Sequence, residues 1–429
     1  MSKKYLSLEN TELVNKLGQL YGKDEAIIKN NLDRYQHLVE KFAERFELND
    51  NEIRFFSAPG RTEIAGNHVD HQLGHVIAAS VDLDIVAACQ ARDDYKIQFI
   101  SEAYNIVETI DLNDLEPQKH EIGKTPALIR GVAHAFKKKG YKIGGFNCYS
   151  TSKVAAGSGI SSSAAFEILI ATIFNYMYNS GEISPIEQAL ASQFAENVFF
   201  DKPSGLLDQT ACAFGEVIAI DFADKNNPKI KQIDLDLGDY GYEMVITKTD
   251  KGHSNLTHEY ASIPNDMQAI AKFFSKTYLS EVNPNEFFQA VPELSKKFPQ
   301  RAVLRAIHFF TEEKRTAEQL NALENKNFKR FLDLVNASAH SSEVQLQNVL
   351  IPGNNQEQEA ALALALSRKF FEDNNLEGAC RIHGGGFGGT IQAYVPSEAV
   401  EAYVKTLEAS FGKDACMIIH IRPVGGIEL

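Results

Sequence analysis

Residues 153–167 read Lys-Val-Ala-Ala-Gly-Ser-Gly-Ile-Ser-Ser-Ser-Ala-Ala-Phe-Glu and combine three features of an anion site. Gly157 and Gly159 can take positive φ, which lets successive backbone N–H groups turn toward one point. Ser161, Ser162 and Ser163 offer hydroxyls at the start of an apolar helix, where the helix dipole favours negative charge. Phosphate is the anion that suits such a loop best, although the same composition can do no more than cap a buried helix. A second segment, residues 58–75, sets Arg61, Asn67, His68, Asp70, His71 and His75 among glycines. Gly66 and Gly74 break any helix that would fix metal-ligand spacing. The short polar side chains suit hydrogen bonding to several hydroxyls, or a purely structural polar loop.

Two further stretches carry chemistry. Glu196-Asn197 is followed at a short interval by Gly205-Leu-Leu-Asp208-Gln209, in otherwise apolar surroundings. A carboxylate there needs a cation or a donor to offset desolvation, and a buried cap or an internal salt bridge would supply one without any catalysis. Residues 381–389, Arg-Ile-His-Gly-Gly-Gly-Phe-Gly-Gly, let the backbone approach another surface closely, as a hinge or as a packing joint. Residues 118–125, Gln-Lys-His-Glu-Ile-Gly-Lys-Thr, imitate a nucleotide-binding loop. Glutamine stands where the first glycine belongs, and a charged segment rather than a buried strand precedes it, so they are set aside.

The elements that must position these groups follow from periodicity. Residues 8–47 predict two amphipathic helices, with Leu13, Leu17, Leu20 and Tyr21 at helical spacing. A strand over 52–58 is expected to break at Pro59-Gly60, and β-like runs follow at 77–90 and 96–110. Helices are expected over 126–138, 164–175 and 185–200, the last capped by Ser184 with Pro185 at its first position. Helices over 256–277, 301–323, 328–350 and 357–374 then dominate, before strands around the glycine run, a helix from 397 and a last strand at 416–421. Strands and helices mixed in each half indicate an α+β fold in two domains, divided between about residues 215 and 240.

Composition narrows the class. A chain of 429 residues with 44% hydrophobic and 23% charged residues suits two globular domains. The formal net charge of −14 disfavours nucleic acid and anionic membrane surfaces as partners. Five scattered cysteines without a CxxC pair suit buried thiols in a reducing compartment. The N-terminus has no apolar core of a signal peptide and no later run spans a membrane, so a cytoplasmic protein is expected.

In combination the four motifs resemble the GHMP family of small-molecule kinases, and within it the galactokinases. The galactokinase signature Gly-Arg-x-Asn-x-Ile-Gly-Glu-His-x-Asp-Tyr corresponds to Gly60–His71, here GRTEIAGNHVDH. The phosphate loop Gly-x-Gly-Leu-Ser-Ser-Ser-Ala corresponds to residues 157–164, the Glu-Asn and Gly-x-x-Asp-Gln pair to 196–197 and 205–209, and Gly-Gly-Gly-Phe-Gly-Gly to 384–389. The resemblance implies a ribosomal-S5-like N-terminal domain, residues 1–230, and a ferredoxin-like C-terminal domain, residues 231–429, with the active site between them. It implies ATP and Mg²⁺ as cofactors, with Gly157, Ser158, Gly159, Ile160, Ser161, Ser162 and Ser163 around the phosphates and Ser163 and Glu196 on the metal. It further implies Asp208 and Arg61 as catalytic residues. The implied reaction is phosphorylation of the anomeric hydroxyl of a galactose-type sugar, by a monomer or weak homodimer.

Substrate binding falls, by the same resemblance, to Asn67, His68, Asp70, Gly205 and Tyr260. Two positions depart from the pattern: Asn67 replaces the family's glutamate, and His71 replaces its usual tyrosine. A neutral amide tolerates a carboxylated sugar that glutamate would repel, so a hexuronate such as galacturonate stands beside galactose, with N-acetylgalactosamine a further alternative. A sugar- and ATP-sensing regulator on the same scaffold is the alternative of another class. The presence of Arg61, Ser163, Glu196 and Asp208 together favours the enzyme.

Overall fold

Two long antiparallel strands, β1 (Arg54–Ala65) and β2 (His75–Arg92), form the pair from which the first sheet grows. The computed structural model describes residues 9–154, 159–224, 227–249 and 256–429. β1 runs through Pro59-Gly60 rather than breaking there. Its register with β2 shifts between Pro59 and Arg61, and this bulge accommodates the missing proline N–H. The sheet continues through β3 (Lys96–Ser101), β4 (Val107–Asp111) and β5 (Gly145–Ser152), while β6 (Val217–Asp221) pairs with β2 and β7 (Lys229–Ile233) with β6. Phe55, Val86, Ala88 and Ile100 point to one face, under the helices Thr11–Tyr21 and Glu25–Arg45. Their neighbours Phe56, Ala87, Cys89 and Phe99 point to the other, under Thr125–Lys138, Ser162–Asn179 and Leu207–Phe214. Where both faces are covered, as over most of β2, the strand reads as a nearly continuous apolar run.

The second sheet holds β8 (Tyr242–Lys248), β9 (Ala379–Ile382), β10 (Thr390–Pro396) and β11 (Cys416–Ile419), antiparallel in the order β11-β8-β10-β9. Helices lie between β8 and β9, a glycine loop joins β9 to β10, and Val400–Phe411 lies between β10 and β11. This is a β-α-β-β-α-β, ferredoxin-like arrangement, with a long helical insertion in its first connection. β7 still belongs to the first sheet. The crossing lies at 234–241. After β11 the chain returns. Arg422 exchanges backbone hydrogen bonds with Ser80 and Glu216, and β12 (Ile427–Glu428) pairs with β1 at Phe56 and Ser57.

Two expected helices are shorter than their pattern. Residues 185–200 divide into an α-helix, Pro185–Phe194, and a π-helical turn, Ala195–Phe199. Phe328–Ser341 likewise passes into a π-turn, Ser342–Leu346. Such turns widen the helix by one residue and are frequent at functional sites. Here the first carries Glu196. The short helix Leu207–Phe214 and the proline-containing Pro284–Lys297 were not expected. The five cysteines are free thiols, and no helix of the described residues is long and apolar enough to cross a membrane.

Candidate active site

The bulge in β1 turns Arg61 toward the start of the Leu207–Phe214 helix. The Arg61 Nε and Nη2 donate to Asp208 Oδ1 and Oδ2, both at 2.7 Å, and Nη1 donates to Gly159 O at 2.6 Å. Ser161 Oγ donates to Asp208 Oδ2 at 2.6 Å. Burial alone would raise the Asp208 pKa, but the Arg61 guanidinium and the Ser161 hydroxyl hold it below the ordinary carboxylate value. Arg61 N–H also donates to Ile160 O at 3.0 Å, so one residue of β1 ties the carboxylate to the phosphate loop. Gly60 makes that approach possible, since a Cβ there would lie 2.7 Å from Ile160 O.

The loop ends at the N-terminus of Ser162–Asn179, with Gly159 at φ 77° and Ser161 at φ 59°. The Ser162 and Ser163 hydroxyls make no side-chain hydrogen bond among the described residues and are partly exposed at this positive helix end. Ile160 is fully buried and supplies its backbone only. Gly157 and Ser158 lie outside the described residues. The C-terminal domain closes on this loop from above. A Cβ on Gly159 would overlap the Thr390 hydroxyl and lie 3.0 Å from His383 Nδ1. The glutamine-bearing segment set aside above lies on an exposed turn before Thr125–Lys138.

Ser163 and Glu196 stand among hard oxygen donors. Glu167, one turn beyond Ser163 on the same helix, is fully buried, and its Oε1 has no hydrogen-bond partner among the described residues. The Gln209 amide donates to Glu167 Oε2 at 3.0 Å and to Glu196 Oε2 at 2.9 Å, which draws the two carboxyls together. Burial, then the charge of Glu196, pushes the Glu167 pKa well above the carboxylate range. A hydroxyl and two carboxyls, all hard oxygen donors, fit Mg²⁺, which typically keeps phosphate and water among its ligands. Neither Glu167 nor Lys202, which donates to Glu196 Oε1 at 2.7 Å, had been singled out in the sequence.

Among the residues expected to bind the sugar, the structure separates some that the motif presents together. Asn67 is fully buried. Its Nδ2 donates to Glu63 Oε1 (3.0 Å) and Gly384 O (2.9 Å), and its Oδ1 accepts from Asn348 Nδ2 (2.9 Å). The amide thus links Glu63 to Gly384 and Asn348 across the domain junction. Glu63 in turn accepts from Arg381 Nη2 at 2.6 Å, a buried pair across the domain junction. His68 Nε2 donates to Gly385 O at 3.0 Å, and burial lowers its pKa. Asp70 packs against Gly205, where any Cβ would overlap its Oδ2. Burial, then the charge of Glu63, raises the Asp70 pKa to about 6, with a further contribution from Asp208. Tyr260 lies over Gly385, donates to Gly386 O at 3.1 Å and keeps 40% of its surface exposed. His71 is held neutral by burial, with a pKa lowered to about 3, and His75 turns outward to Glu313.

Residues 40–91 match the galactokinase galactose-binding signature, and residues 127–216 match the GHMP kinases N terminal domain. The galactokinase of Clostridium tetani (strain Massachusetts / E88) is 29% identical over 371 residues, covering 85% of this chain and 89% of that protein. The crystal structure of Lactococcus lactis galactokinase complexed with galactose superposes with a TM-score of 0.78 at 24% identity, covering 92% of this chain and all of that one. Methanococcus jannaschii mevalonate kinase gives a TM-score of 0.62 at 16% identity over 87% of this chain and 99% of its own. The fold is the two-domain fold of the GHMP kinases.

Proposed function

We propose that this chain is a sugar kinase that transfers the terminal phosphoryl group of ATP to the anomeric hydroxyl of a galactose-type sugar. The observation that carries the proposal is the Asp208 carboxylate, gripped by Arg61 and Ser161 directly beside the helix N-terminus of the phosphate loop. Asp208 accepts a hydrogen bond from the sugar hydroxyl and orients it. The hydroxyl oxygen attacks the γ-phosphorus, the bond to the β–γ bridging oxygen breaks, and ADP leaves with that electron pair. The hydroxyl proton passes to Asp208. Arg61 makes Asp208 a weak base, which a loose transition state tolerates because the proton can move late. Ser163 and Glu196 would hold Mg²⁺, which when bound neutralises phosphate charge. Asp70, Gly205, His68 and Tyr260 line the sugar side. The reading places the reaction in the cytoplasm and its catalyst as a monomer or weak homodimer.

A galacturonate-type sugar is a second reading. It is favoured by the absence of a free carboxylate at position 67 and by the pairing of Glu63 with Arg381. Measuring ADP release over a panel of galactose, N-acetylgalactosamine and galacturonate decides between them. A tenfold preference for galacturonate in kcat/KM, about 1.4 kcal/mol, would overturn galactose as the substrate. Asp208→Asn is expected to lower kcat by about 10²–10⁴-fold while sugar still binds, and near-normal turnover would remove Asp208 from the mechanism.

A further inference from the structure

Lys202 stands in the loop between the π-turn Ala195–Phe199 and Gly205. Its backbone N–H donates to Glu196 O at 3.1 Å, and its Nζ donates to Glu196 Oε1 at 2.7 Å. The two ends of this pair differ sharply, because the Glu196 side chain is 2% exposed and that of Lys202 is 56% exposed. The ammonium therefore covers the solvent side of a buried carboxylate. Partial burial works against its charge, yet Glu196 first, then Asp208 and Glu167, raise its pKa above the ordinary value. A single cation thus feels both the carboxylate on the metal side and the carboxylate on the acceptor side.

Arg61 is the other cation of the site, and its Nε, Nη1 and Nη2 are already engaged with Asp208 and Gly159. Among the described residues the Lys202 ammonium makes one hydrogen bond, to Glu196, out of the three that its N–H donors allow. The incoming terminal phosphate brings negative charge to a place already bordered by the carboxylates of Asp208 and Glu196. Glu196 would hold Mg²⁺ in the kinase reading, and a carboxylate given to the metal would leave the Lys202 ammonium without its present partner. A lysine on a flexible stem acts as a point charge for phosphate.

We propose that Lys202 is a second catalytic cation, which leaves Glu196 to contact the terminal phosphate of the bound nucleotide. This rests on the kinase reading above. The test is calorimetric titration of the full chain with a non-hydrolysable ATP analogue and with ADP, each with Mg²⁺. It compares the wild type with Lys202→Met, Lys202→Gln and Lys202→Arg. The neutral variants are expected to weaken the triphosphate analogue by about tenfold or more and ADP by less than about twofold, with Lys202→Arg recovering most of the loss. Equal changes for both nucleotides, or tighter binding of both, would overturn the proposal and leave Lys202 as a counter-ion to Glu196. A wild-type chain that bound neither nucleotide would overturn the kinase reading itself.

Discussion

Asp70 is the side chain whose cost to the fold and value to the reaction are most clearly opposed. Burial and the nearby charge of Glu63 lift its pKa from 3.8 to about 6. Two pH units correspond to about 3 kcal/mol of unfavourable charge at neutral pH, an upper bound because water reaches this partly exposed side chain. Replacing it by asparagine keeps the shape and one acceptor and removes the charge. Ligand-free Asp70→Asn is therefore expected to be more stable than the wild type by about 1–3 kcal/mol at pH 7.5. The folded-state pKa lies above the unfolded one, so the wild-type penalty is complete above pH 6, fades as pH falls, and is gone below pH 3.8. The gain should accordingly shrink below about 1 kcal/mol at pH 4.5. Urea unfolding of both chains at the two pH values reads the gain, and calorimetry with the sugar reads its price in function, a loss of about tenfold or more in affinity. Two results refute the reasoning: a variant less stable at pH 7.5, or a gain of the same size at both pH values. Unchanged sugar affinity would remove Asp70 from the sugar site.

Two other perturbations test the geometry. Gly205→Ala drives a methyl into the Asp70 carboxylate, so KM for the sugar should rise by about tenfold or more while nucleotide affinity stays level in a direct titration. Arg381→Met strips a buried carboxylate, Glu63, of its cation, which should cost about 3–5 kcal/mol in urea unfolding, and adding Glu63→Gln should recover much of that loss. A cost below about 1 kcal/mol for the single variant would show that the pair is dispensable.

The motifs were legible because glycine and serine announce backbone geometry locally. Gly60, Gly159 and Ser161 each do in the structure what their positions demand, through a close approach or a left-handed conformation. What the sequence hid was direction. Asn67 sits in the middle of a ligand motif, yet its amide is claimed by Glu63, Gly384 and Asn348, two of them about three hundred residues away. Nothing in the local sequence around Lys202 or Glu167 marks either residue as part of a site. Only the folded positions of Gln209 and Glu196 bring them into one cluster. Pro59-Gly60 misled for a related reason, since a break signal cannot be told from a bulge without the partner strand.

The return of the chain to β1 has a consequence for how the protein is made. Arg422 reaches back to the buried Asp84, where Nη1 lies 3.1 Å from Oδ2, and it exchanges backbone hydrogen bonds with Ser80 and Glu216. On the ribosome, β1 and β2 emerge hundreds of residues before these partners do. Until then Asp84 has Arg34 as its cation but not Arg422, and the β1 edge that β12 covers stays open to other strands. The nascent first sheet must therefore wait, and it is in that interval, rather than in the finished enzyme, that a chaperone would have the most to protect.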